Sequence, residues 1–267
     1  MRLQHLTRAW DWMVYYLMLN ALAFLFYSFQ FHSFVKELEK ESASDPAQKV
    51  WVEGNQVILE GETNRYNVDR VKQAFDNGGI QFLQVNSPGG RVSTAMDLAE
   101  LMMEEDITLI VSERCFSSCA NYFIPAATNV IIKKGAVVGW HGGALQKHWS
   151  EKSFPWYADI FPLVKVLDTG ASWYKSLKWK NREAKFYQRL GVNKYLNVIG
   201  QMKPYKLEQP YAGWNYDTKT LANLGLDNLL IEDGELVSVQ DDSEIRVYQY
   251  SLSESDVYGL NEELLIP

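Results

Sequence analysis

From Trp12 to Phe31 the chain reads WMVYYLMLNALAFLFYSFQF, with Asn20, Ser28 and Gln30 as the only polar positions. No Asp, Glu, Lys or Arg stands between Asp11 and Lys36. A helix of about 20 residues rises roughly 30 Å, the thickness of a bilayer's hydrocarbon core. Trp10, Trp12, Tyr27 and Phe31 lie near its ends, where aromatic rings favour the membrane interface. The pattern predicts an uncleaved single-pass anchor over residues 1–35. A cleaved signal peptide is the rival, but no small-x-small site occurs before Ser42-Ala43-Ser44. Basic residues flank the span on both sides (Arg2 and Arg8, then Lys36, Lys40 and Lys49), so charge alone does not orient it.

After a polar, charge-mixed stretch at 36–50, read as a stalk and linker, the periodicity changes. Short apolar runs at Val57–Leu59, Ile80–Val85, Ile107–Val111 and Val130–Ile132 predict strands. Between them Val68, Val71 and Phe75 mark one helix face, and residues 92–103 and 117–127 read as further helices. This βαβαβ alternation predicts an α/β domain over residues 51–231 with a largely parallel sheet. Within it, residues 145–216 read as a helical insert holding five of the nine Trp. Lys175 to Lys206 carries nine basic residues against Glu183 alone. Residues 232–267 form an acidic tail, β-prone at Ile245–Tyr250.

Composition narrows the class. The 267 residues hold 17 Gly and 8 Pro and are 47% hydrophobic, which excludes collagen-like and wholly disordered chains. The net charge of −7 argues against a nucleic-acid partner. Nothing in the pattern calls for a cofactor.

Three short motifs carry candidate chemistry. Asn86-Ser87-Pro88-Gly89-Gly90 follows a strand and precedes a helix, and its glycines allow backbone N–H groups to face a cleft. Cys115-Phe116-Ser117-Ser118-Cys119-Ala120 places two serines at a helix start, where first-turn amides are available to an oxyanion. Gly139-Trp140-His141-Gly142-Gly143 supplies an imidazole in a glycine frame, the usual base for a serine nucleophile.

In this order, the motifs resemble the Clp protease proteolytic-subunit and crotonase superfamily, including Clp-like periplasmic proteases related to signal-peptide peptidases. The resemblance runs from about Val57 to Ile231 through Ile58–Asn64 (ILEGETN), Val85–Gly90 (VNSPGG), the serine helix start, His141 and Ala222–Asp227 (ANLGLD). It implies a Clp/crotonase-like α/β spiral of repeated ββα units, and a serine-type endopeptidase with a peptide or protein substrate that self-associates as a homo-oligomer. Carried over by position, Ser117 is the nucleophile, His141 the general base, and the Gly90 and Ser118 amides the oxyanion hole. Glu113 stands where the family has glycine, and the register leaves Ser118 open as the nucleophile. The triad acid falls on Gln209, with Glu208 adjacent as its substitute, unless the site is a Ser-His dyad or uses a lysine base. A non-catalytic membrane-tethered binding or assembly protein is the alternative function.

Cys115 and Cys119 are four residues apart. One helical turn would bring them to disulfide distance. Free thiols or a zinc site with His141 and His148 are the other readings. A disulfide implies an oxidising compartment, which with the family resemblance places the main domain on the periplasmic side of an inner membrane. The basic, aromatic insert suggests contact with membrane lipid through Trp173, Trp179 and Tyr187 beside Lys175, Lys178, Arg182 and Arg189.

Overall fold

The computed structural model describes residues 12–25, 27–28, 49–146, 162–208, 210–238 and 246–264. The chain divides into two compact units, Met1–Asp45 with Ser150–Lys178, and Pro46–Trp149 with Trp179–Pro267.

In the first unit the described residues are helical, beginning with α1 (residues 12–25). Among the described residues no helix is long and apolar enough to cross a membrane. This overturns the single-pass anchor. The inner-membrane location, the periplasmic placement and the membrane-tethered alternative fall with it. Residues 36–48, read as the stalk, lie outside the described residues.

The second unit is α/β. Strands β1 (Val50–Glu53) and β2 (Gln56–Glu60) form an antiparallel hairpin, turned through Gly54 at φ 61°. Asn64 caps helix α2 (Arg65–Asp76), its side chain accepting from the Asn67 amide at 2.9 Å. Val68, Val71, Ala74 and Phe75 form the buried face of α2. Strand β3 (Phe82–Ser87), helix α3 (Val92–Glu104) and strand β4 (Thr108–Phe116) follow. A π-helical turn (Cys119–Phe123) runs into the short helix α4 (Ile124–Ala126), and then come β5 (Asn129–Ile132) and β6 (Val137–Gly139). The long helix α5 (Pro162–Leu190) belongs to this unit from Trp179 onward, and the remaining elements are β7 (Gly213–Tyr216), α6 (Thr218–Asn223), β8 (Leu229–Ile231), β9 (Val247–Tyr250) and α7 (Glu254–Tyr258).

The main sheet has the order β1-β2-β3-β4-β5-β8, with β6 also paired to β4. Every pair after the first hairpin is parallel, so the sheet is mixed. Its inner strands are buried, as parallel strands covered on both faces must be; Val57, Leu59, Leu83, Val85, Leu109 and Val111 are fully enclosed. An α/β fold with a mixed sheet and no membrane helix among the described residues thus replaces the expected spiral with its anchor.

Strand β4 decides where the site lies. Its first half, Thr108–Val111, pairs with β5, and its second half, Arg114–Phe116, pairs with β6. At the same level its register with β3 slips between Val85 and Ser87, and Ser87 ends opposite Cys115. The sheet forks there, and the carboxyl ends of β3, β4 and β6 converge. Such a divergence at strand carboxyl ends is where open α/β sheets hold their ligands.

Two stretches depart from the expected elements. The insert is not helical throughout: after α5 it passes through turns and a 3-10 turn (Ile199–Gln201) into β7. Residues 246–264 contribute β9, which pairs with β7, and Val257 and Leu260, buried beside Tyr250 and Leu252. The Ser253 cap of α7 forms a reciprocal capping box with Asp256.

Candidate functional site

The three motif loops meet, and Thr63 joins them. This fully buried residue, in the stretch after β2, donates its amide to the Gly89 carbonyl at 2.9 Å. Its hydroxyl shares a 2.9 Å hydrogen bond with that of Ser118. Its carbonyl accepts from Thr94 Oγ1 at 2.5 Å. Thr63 lies within the Ile58–Asn64 motif, but no sequence signal assigned it a role of its own. It is an ordinary residue made central by its neighbours.

Gly89 shows why the Asn86–Gly90 motif ends in glycines. At φ 88°, a Cβ there would stand 2.5 Å from the Phe116 carbonyl oxygen, 2.7 Å from Ser117 Cβ and 2.9 Å from the Ser118 amide nitrogen. No side chain fits in that space, so the loop after β3 presses its bare backbone against the serine turn. Gly90, at φ 146°, packs the same way against Thr63. The Gly90 and Ser118 amides donate no hydrogen bond among the described residues.

The two serines differ in setting. Ser118 is buried, and its hydroxyl is held by Thr63. Ser117 is half-buried and adopts φ 57°, a left-handed backbone that costs a non-glycine residue of the order of 1–2 kcal/mol. Two bonds hold it there: its amide donates to the Gly139 carbonyl at 3.0 Å, and its carbonyl accepts from the Asn121 amide at 2.8 Å.

His141 comes to the same end of the sheet through β6. Phe116 is paired with Gly139, and Trp140 bridges to Trp214 of β7. Gly213 approaches so closely that a Cβ would collide with the Trp140 carbonyl oxygen and reach 3.4 Å from His141 Cβ. The ring remains exposed at its edge, while partial burial pushes its pKa below the usual histidine value.

Comparison with protein-family models and with curated proteins gives no match.

A Ser-His-acid triad is not evident. Among the described residues Ser117 and His141 make no side-chain hydrogen bond to each other. Glu208 is exposed and has no hydrogen bond or ion pair to His141. It lies after the 3-10 turn, on an irregular stretch that no ladder aims at the imidazole. Gln209 lies outside the described residues, as does His148. The membrane-anchored Ser-His-acid peptidase is therefore corrected on both counts, anchor and triad. Glu113 faces Asn86, whose Nδ2 donates to its carboxylate at 2.6 Å.

Cys115 and Cys119 are joined in a disulfide with a Cα separation of 5.3 Å. The bridge runs from the last turnless residues of β4 to the first residue of the π-helical turn, not across one turn of a single helix. It brackets Ser117 and Ser118. With both sulfurs bonded to each other, neither cysteine serves as a thiolate ligand, and no cluster of metal-ligating side chains occurs among the described residues.

The insert's aromatic and basic residues turn inward more than expected. Tyr187 is fully buried and donates to the Asn121 carbonyl at 2.8 Å, so it has no ring to offer a lipid interface. Arg182 binds Asp97 at 2.6 Å and Glu100 at 2.9 Å, both on α3. The side chain of Trp173 lies outside the described residues.

Proposed function

We propose that the second unit is a serine-type hydrolase acting on a peptide or protein substrate, without a membrane anchor and without a third, acidic catalytic residue. One observation carries this reading: Ser117 is held in a left-handed turn against a bare glycine, beside the Gly90 and Ser118 amides, which donate no hydrogen bond among the described residues. A serine on a constrained strand-to-helix turn, with backbone donors at hand, is the arrangement that acyl transfer requires. The ordered motifs that resemble the Clp protease and crotonase superfamily support the same chemistry, and bring with them the expectation of a homo-oligomer.

In this mechanism the Ser117 hydroxyl attacks the substrate carbonyl carbon. The Gly90 and Ser118 amides hold the oxyanion that forms, and neutral His141 takes the serine proton and returns it to the leaving amine. Water then repeats the attack on the acyl-enzyme. The depressed pKa of His141 keeps the imidazole neutral, and so able to accept a proton, at neutral pH. Ser118 contributes its amide, while its hydroxyl is engaged with Thr63.

A fluorophosphonate probe tests the assignment. The wild type and Ser118→Ala label, Ser117→Ala does not, and peptide mapping finds the adduct on Ser117. A wild type that does not label, or an adduct on Ser118, overturns the assignment.

A further inference from the structure

Between Lys175 and Lys206 the chain has nine basic residues and one acid, Glu183. That single acid is the residue folded inward, 2% exposed. A carboxylate taken out of water is costly unless its oxygens are satisfied. Glu183 satisfies them with neutral donors from three parts of the chain. Oε2 accepts the Ala144 amide at 2.8 Å, in the loop that follows His141. Oε1 accepts the Tyr122 hydroxyl at 2.7 Å, in the π-helical turn that follows Ser117, and Asn197 Nδ2 at 3.1 Å. Trp179 Nε1 in turn donates to the Tyr122 hydroxyl at 2.9 Å.

These bonds close into a ring. Asn197 Nδ2 also reaches the Tyr187 hydroxyl at 3.3 Å, and that hydroxyl donates to the Asn121 carbonyl at 2.8 Å. Asn121 Nδ2 then donates to the Gly142 carbonyl at 2.9 Å, returning to the loop after His141. The serine turn and the histidine loop are thus tied together on the side away from the β4–β6 ladder. Gly143 has no room for a Cβ against the Asn197 amide, so the loop is pressed onto the same network.

We infer that Glu183 is a positioning residue of the hydrolase site: its one carboxylate sets the distance between the Ser117 turn and the His141 loop. The inference rests on the hydrolase reading. It assigns the insert helix a task that a lipid-docking face would not have. The chemistry demands an anion, or at least two acceptor oxygens. A glutamine has the same shape but presents an NH2 group to one of the donors, so either the Ala144 amide or the Tyr122–Asn197 pair is left facing another donor.

The test uses the full chain and measures inactivation by a fluorophosphonate as a maximal rate and a half-saturation concentration, alongside thermal melting. Glu183→Gln is expected to lower the maximal rate about 10- to 100-fold, the scale set by displacements of up to about 1 Å. Half-saturation should stay within about twofold, because the surface that binds the probe is intact. Tyr122→Phe removes one donor and keeps the ring, so it serves as the milder variant should Glu183→Gln not fold. Its maximal rate should fall about threefold or more at an unchanged half-saturation. A merely structural Glu183 predicts lower melting temperatures with unchanged rates in the folded protein, and that result overturns the inference while leaving the hydrolase standing. Failure of the wild type to label overturns the hydrolase itself.

Discussion

Replacing Gly89 by alanine tests whether contact between the two loops builds the site. The new methyl carbon would lie 2.5 Å from the Phe116 carbonyl oxygen, 2.7 Å from Ser117 Cβ and 2.9 Å from the Ser118 amide nitrogen. Ordinary contact begins near 3.4 Å, so the serine turn must retreat by roughly 0.5 to 0.9 Å. These neighbours are backbone or the root of a side chain, so no rotamer change relieves the clash. Two costs add. The left-handed φ of 88° penalises any Cβ by about 1–2 kcal/mol, and overpacking adds about 1–3 kcal/mol. Gly54→Ala separates them, because Gly54 has φ 61° and nothing within 4 Å of its would-be Cβ. It should show the conformational cost alone. Denaturant unfolding should therefore place Gly89→Ala about 1–3 kcal/mol below Gly54→Ala. Fluorophosphonate labelling of Ser117 should fall about 100-fold in Gly89→Ala, the scale expected for a reacting group moved by up to about 1 Å, and stay at the wild-type rate in Gly54→Ala. Equal labelling rates in the two variants would refute the idea that this contact positions the nucleophile.

Three further outcomes follow from the same geometry. Because burial holds the His141 pKa below the usual value of about 6.5, the inactivation profile should keep more than half of its full rate at pH 6.5 and fall with a midpoint below it. In the folding equilibrium the folded state resists the proton that the unfolded chain takes up, so the stability His141 contributes is present above about pH 6.5 and lost as pH falls through its folded pKa; His141→Gln should flatten that part of the stability profile. Reduction of Cys115–Cys119 should slow labelling of Ser117 more than it lowers the melting temperature, since so short a loop stabilises by less than the ~3 kcal/mol of a 15-residue one; thiol titration should find no free thiol before reductant. Thr63→Val, which leaves the buried Ser118 hydroxyl without its partner, should cost about 1–3 kcal/mol in denaturant unfolding.

The α/β alternation was legible because its strands are short apolar runs of the kind that burial on both faces imposes, and β2, β3 and β5 lie where those runs stand. What the pattern concealed has physical causes. Strand β4 extends through Ser112-Glu113-Arg114 to Phe116, because pairing with β6 holds polar residues in extended conformation that hydropathy alone would assign to a loop. Strand β7 hides in an aromatic stretch, Gly213–Tyr216, and pairs with β9, 31 residues farther along, so nothing local announces it. The apolar run at the start of the chain misled for a different reason. Hydropathy counts residues in a row, whereas among the described residues no helix is both long and apolar enough to cross a membrane.

At the site, the glycines of the motifs mark close approaches: a Cβ at Gly89 would strike the backbone of the serine turn, one at Gly143 would strike the Asn197 side chain, and one at Gly90 would be tight against Thr63. The choice between Ser117 and Ser118 was not legible, since only the fold shows that one hydroxyl is buried against Thr63 while the other sits on a left-handed turn. The resemblance places the acid on Gln209 or Glu208, at the end of the insert, and among the described residues Glu208 makes no bond to His141. Glu183, the one acid between Lys175 and Lys206, is enclosed instead. An isolated carboxylate survives burial only by collecting donors, and those of Glu183 include the Ala144 amide and the Tyr122 hydroxyl, from the two loops that follow His141 and Ser117. One carboxylate thereby ties its helix to both loops at once.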